Sequence, residues 1–100
     1  MAKIMVIYQQ PTDVEGFEKH YQEVHMPLAQ QVKGVVNASV NKVQQALGTE
    51  MNLYQIVEIE FNSMEDLQTA MQSDEWKKVE EDGQNLAQFL NEGPILTITN

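Results

Sequence analysis

The hydrophobic period of this chain switches from that of a strand to that of a helix and back, twice over. That alternation narrows the available folds more than any other feature. Ile4 to Tyr8 is a short apolar run ended by Gln9-Gln10-Pro11 and reads as a first strand. After it, Asp13 is a good N-cap and Glu15 sits in the positive first turn of a helix. Val14, Phe17, Tyr21, Val24, Leu28 and Val32 then recur at three- and four-residue spacing, inside about 80° of a helical wheel. Pro27 cannot donate to the carbonyl of Glu23, so the spacing predicts a kink or break near His25, with Gly34 closing the helix. Val36 to Gln45 is a second, more polar strand, and Gly48-Thr49-Glu50 a turn. Leu53 to Phe61 is the clearest strand. Its faces separate as Leu53, Gln55, Val57, Ile59, Phe61 and as Tyr54, Ile56, Glu58, Glu60. Ser63 and Asp66 start a second helix with Met64, Leu67, Ala70 and Met71 on its buried stripe. Ser73 restarts it through Trp76 and Val79 to Gly83, a short turn follows at Leu86 to Leu90, and Ile95 to Thr99 is a last strand.

The order is strand, helix, strand, strand, helix, strand. In a chain of 100 residues this predicts one α+β domain over 1–100, a ferredoxin-like βαββαβ antiparallel sheet with helices on one face. The uncovered face should be polar in a monomer, yet Met5 and Ile7 point opposite to Ile4, Val6 and Tyr8, and Ile56 opposite to Val57 and Ile59. Both faces carry apolar groups, which predicts a face-to-face homodimer.

Charge excludes several classes of function. Six lysines oppose fifteen acids, a formal −9, and residues 58–100 alone carry ten acids against two lysines. Nucleic acid and anionic membranes need clustered cations and are not expected partners. The Glu80-Glu81-Asp82 run reads as a solvated helix face. Zero cysteine removes disulfides, thiolate metal sites and cysteine nucleophiles. No apolar run approaches a membrane span, and the amino-terminal apolar run is too short for a signal peptide, which predicts a cytoplasmic protein.

Candidates for chemistry are few. The glycines at 16, 34, 48, 83 and 93 fall singly, so no phosphate loop or dinucleotide fingerprint occurs, and no cofactor is expected. His20 and His25 lie about 140° apart on a regular helix and cannot share a metal there, so no metal site is expected. His25 stands beside Tyr21 at the border of the apolar stripe, a place suited to a general acid or base. The alternative is that it hydrogen-bonds carbonyls freed by Pro27. His20 flanks the stripe as a rim residue. Tyr21 has a phenol to offer a ligand carbonyl, and Tyr8, Tyr54 and Trp76 have polar tips suited to a pocket wall; each is equally at home in a core.

Tyr8-x-x-Pro11-x-Asp13, followed by Phe17-x-x-x-Tyr21-x-x-x-His25-x-Pro27-Leu28, resembles the EthD-like family of small bacterial proteins. Gly34, Phe61-Asn62-Ser63 and Ser73-x-Glu75-Trp76 continue the match along nearly the whole chain. The resemblance implies a dimeric α+β barrel, in a superfamily with cofactor-free monooxygenases, muconolactone isomerase and polyketide cyclases. It implies a small hydrophobic or aromatic ligand between sheet and helices. His25 and Tyr21 are then the candidate catalytic pair, the first carrying a proton and the second donating a hydrogen bond. Tyr8, Phe17, Leu28, Tyr54 and Trp76 are the candidate ligand-binding residues. A dimeric carrier or accessory protein without turnover is the other reading.

Overall fold

The computed structural model describes residues 1–100. Strand β1 (Ala2–Gln9) leads into a long helical segment made of α1 (Val14–His20), a π-helical turn (Tyr21–His25) and α2 (Met26–Ala29). Strands β2 (Val35–Lys42) and β3 (Leu53–Phe61) follow, then α3 (Met64–Met71), α4 (Asp74–Leu86), a 3₁₀ turn (Ala87–Phe89) and β4 (Ile95–Thr99). The sheet order is β2-β3-β1-β4, antiparallel throughout, which is the ferredoxin-like topology expected from the order of periods. No helix is long and apolar enough to cross a membrane.

Helix starts follow the side chains that satisfy their free amides. Asp13 accepts from Gly16 N–H, Ser63 from Asp66 N–H and Ser73 from Trp76 N–H, and each is followed by acids in the first turn. Gly34 has φ +91°, a left-handed conformation that lets the chain turn out of the helical segment into β2.

Pairing of Ile4 with Ile59 and Val6 with Val57 puts one apolar row of β1 and β3 under the helices. Met5, Ile7 and Ile56 lie on the other side, beside Glu58, Ile95 and Thr97 of the neighbouring strands. The sequence places Tyr54 on that outer side, but a register shift between Tyr8 and Gln9 turns it toward α1. Its ring meets Phe17 at 5.9 Å and its hydroxyl donates to Glu18.

The core under the helices is divided. One cluster holds Ala2, Ile4, Val32, Phe61, Leu67, Ala70, Trp76 and Val79. The other holds Tyr8, Phe17, Tyr21, Val57 and Leu86. Val6 and Ile59 are only half-buried and pack against both. Close-packed interiors leave few voids larger than a water molecule, so a divided core points to a space between the parts.

The disturbance expected near His25 takes the form of a widened turn and not of a break: before Pro27, Met26 N–H bonds the carbonyl of Tyr21. A proline both lacks the donor for residue i−4 and crowds that carbonyl, and a widened turn relieves the crowding while the helix continues. The last helix does not end at Gly83 but runs to Leu86 and tightens into the 3₁₀ turn.

Candidate functional site

A cavity of about 680 Å³ lies between the sheet and the helices, where the core divides. That is within the range of small-molecule sites, roughly 300–1,000 Å³. Val6, Tyr8, Val57 and Ile59 form its floor. Tyr21, His25, Met26 and Ala29 form one wall and Trp76, Val79, Glu80 and Gly83 the other, with Ala38, Val40 and Leu96 toward the edges. The lining is mainly apolar because the strand rows and both helical stripes turn their hydrophobic residues toward it. No lysine or arginine is part of it.

The polar groups converge at the π turn. His25 is 7% exposed, and its Nδ1 lies 2.9 Å from Asp82 Oδ2. The other oxygen of that carboxylate lies 2.8 Å from His20 Nε2 and accepts from Asn85 at 3.0 Å. Two histidines five residues apart thus meet one acid. On a regular helix they diverge; a turn closed by i→i+5 bonds sets residue i+5 over residue i. The proline that widens the turn is therefore what brings both rings to Asp82.

Asp82 corrects the reading of residues 80–82 as a solvated face, since it is 4% exposed. Burial alone would raise its carboxyl; hydrogen bonds from Asn85, His20 and His25 outweigh that and hold it below its ordinary value. An ionised carboxylate only accepts, so His25 carries its proton on Nδ1 and His20 on Nε2. Burial lowers the pKa of His25 below 6.5, and Asp82 only partly offsets this. At neutral pH the ring is uncharged. Because Asp82 takes Nδ1 and is not itself part of the cavity wall, Nε2 and its lone pair are what the ring offers to the cavity.

The aromatic residues lead from core to cavity. Phe17 stacks on Tyr21 at 5.7 Å, and Tyr21 lies 5.3 Å from the His25 ring. Tyr8 meets both Phe17 and Tyr21 edge-on, at 5.2 and 6.0 Å. Neither the Tyr8 nor the Tyr21 hydroxyl is held by another side chain. Burial raises both, Tyr21 to about 12, so both phenols stay protonated at neutral pH and remain able to donate. The indole Nε1 of Trp76 is buried with no hydrogen-bond partner.

Of the residues singled out from the sequence, Tyr8, Tyr21, His25 and Trp76 line the cavity together. Phe17 is fully buried behind Tyr21, and Leu28 packs against the Trp76 side of the core. Tyr54 sits at the far end, where Lys42 lies 4.6 Å over its ring and bridges Glu18 and the buried Gln55. None of these three is in the cavity wall. Asp82 was missed, although a signal for it exists: it falls on the apolar stripe of Trp76, Val79 and Leu86, where an acid has no reason to be unless it is paired.

Comparison with known proteins agrees with this architecture. The family model described as EthD domain matches residues 9–89. An uncharacterized 11.0 kDa protein of the thcB-thcC intergenic region of Rhodococcus erythropolis is 28% identical over 87 residues, which cover 87% of this chain and 84% of that one. The crystal structure of an ethyl tert-butyl ether d (EthD) family protein from Bacillus halodurans is 28% identical with a TM-score of 0.81, covering 100% of this chain and 97% of that one. A dimeric ferredoxin-like protein of unknown function from Jannaschia shares the fold alone, at 10% identity and a TM-score of 0.70, covering 100% of this chain and 99% of that one. With the family model spanning the helical segment, β2, β3, α3 and α4 with its shared carboxylate, this chain belongs to the EthD family.

Proposed function

We propose that this protein holds a small hydrophobic or aromatic compound between sheet and helices, and that His25 moves a proton of that compound. The observation that carries the reading is the position of the His25 imidazole, between a buried carboxylate and an apolar cavity. The neutral ring presents Nε2 as a base. It takes a proton from an O–H, or from a C–H beside a carbonyl, and the electron pair of the broken bond stays on the compound. The imidazolium so formed keeps its Nδ1–H on Asp82, whose negative charge offsets the new positive one. The Tyr21 hydroxyl, next along the helix face, donates to the oxygen on which charge develops. Return of the proton to a different atom completes an isomerisation or a cyclisation.

The test begins with native mass spectrometry of the protein purified from its own host, which identifies the bound compound by its added mass. His25→Gln is then compared with the wild type. Retained binding with lost turnover supports proton transfer. Binding by both proteins with no turnover by either leaves a carrier and removes the catalytic part of the reading.

A homodimer is the second part of the reading. Its support is the sheet face away from the helices, where Met5, Ile7, Ile56 and Ile95 stand among Thr97, Ser39 and Asn41, with the Lys3, Glu58 and Glu60 ion pairs at one end. The neighbour from Jannaschia is described as dimeric and has the same fold. Sedimentation at twice the chain mass of 11.4 kDa is the expected result.

A further inference from the structure

Asp82 fixes which hydrogen-bonding role the cavity can play. Because the carboxylate holds the Nδ1–H of His25, the ring offers the cavity an acceptor and not a donor. The hydroxyls of Tyr8 and Tyr21, which line the same cavity, are held by no other side chain and are free to donate. One acceptor flanked by donors matches a group that both gives a hydrogen and accepts at the same oxygen. Charge narrows the choice further. The single charged side chain in the wall at neutral pH is Glu80, and the whole chain carries −9. An anion entering this space leaves water without meeting a cation, which is costly.

We propose, on the reading that this cavity is the binding site, that its ligand is an uncharged phenol or enol whose hydroxyl hydrogen is accepted by His25 Nε2, and that carboxylates of the same shape are rejected. The ligand oxygen then lies within reach of the tyrosine hydroxyls, and its ring lies on Val6, Val57, Ile59 and Trp76. The same placement puts the acidic hydrogen on the base and the developing oxyanion on the donors.

Three naphthalenes of nearly equal size separate the possibilities at neutral pH, with the full chain: 2-naphthol, 2-methoxynaphthalene and 2-naphthoate. Affinity is read by calorimetry, and occupancy by the ¹⁵N resonances of the His25 ring and the indole of Trp76. The naphthol should bind about five- to tenfold more tightly than its methyl ether, the worth of one net hydrogen bond. It should also shift His25 Nε2, while the naphthoate binds at least about a hundredfold more weakly. Equal binding of the naphthol and the ether, or tighter binding of the naphthoate, overturns the inference and leaves the cavity as a binding site. Failure of all three to bind, with both sets of resonances unmoved, overturns the cavity reading as well.

Discussion

Replacing Asp82 by asparagine tests whether one carboxylate organises the site. The side chain keeps its shape and loses its charge and one of its two acceptor oxygens. Three hydrogen bonds now end on those oxygens, at 2.8 Å from His20, 2.9 Å from His25 and 3.0 Å from Asn85. Hydrogen bonds to a charged group contribute about 1.5–3 kcal/mol and neutral ones about 0.5–1.5, so each of the two histidine bonds loses roughly 1 kcal/mol. The amide NH₂ also faces one imidazole N–H, and that ring must move its proton to the other nitrogen or lose its partner. The sum is a destabilisation of about 2–3 kcal/mol. For a domain of this size that lowers Tm by about 10–20 °C, readable by calorimetry or circular dichroism. The ¹⁵N shifts of His25 provide the second readout. They should report a proton on Nδ1 in the wild type and a larger share on Nε2 in Asp82→Asn, with any proton-transfer activity falling accordingly. A melting temperature within about 2 °C of the wild type, together with an unchanged tautomer, would refute the idea that Asp82 sets the role of His25.

Three further outcomes are expected. Burial depresses His25, so the unfolded chain takes up its proton first: stability is full above pH 6.5, declines as pH falls toward the lower folded value, and Asp82 adds a second loss below its ordinary 3.8. Melting temperature against pH should show that slope, and any proton-transfer activity should disappear over the upper window; a protein stabilised on acidification contradicts the assignment. Gly83→Ala should raise stability by about 0.5–1 kcal/mol, since Gly83 lies inside α4 and an added Cβ meets nothing within 4 Å; Tm should rise about 3–6 °C, and a fall shows that the position needs glycine. Ile7→Lys places a charge in the middle of the outer sheet face and should convert the proposed dimer to a monomer in sedimentation, whereas an intact dimer assigns the interface to another surface.

Much of the fold was legible because its signals are local. Asp13, Ser63 and Ser73 each cap the helix they were expected to start, since a cap needs only its own next turn. The alternation in β1 and β3 identified the row under the helices, since side chains of a strand point to opposite faces whatever the strand pairs with. Tyr54, expected in the outer row, is the exception. Its face was misjudged because a one-residue register shift, set by the pairing partner, reverses the side on which a residue emerges.

At the site the division is sharper. Tyr21, His25 and Pro27 are neighbours on one helix, so their association, and a disturbance of the helix just before the proline, could be read from spacing alone. The form of that disturbance could not. A broken helix and a π turn both accommodate the missing donor, and the contacts that the π turn and α2 make with α4 favour the turn that keeps the helix whole. That choice brings His20 and His25 to one side of the helix, and only the approach of α4, more than fifty residues away in the chain, supplies Asp82 to both. The sequence by itself thus determined the order of elements, the sheet faces and the histidine with its tyrosine, because propensity, capping and period act within a few residues. The tertiary structure alone decided the tautomer of His25, the burial of Asp82 and the space left in the core, because these depend on which side chains from distant segments meet in a region that water has left.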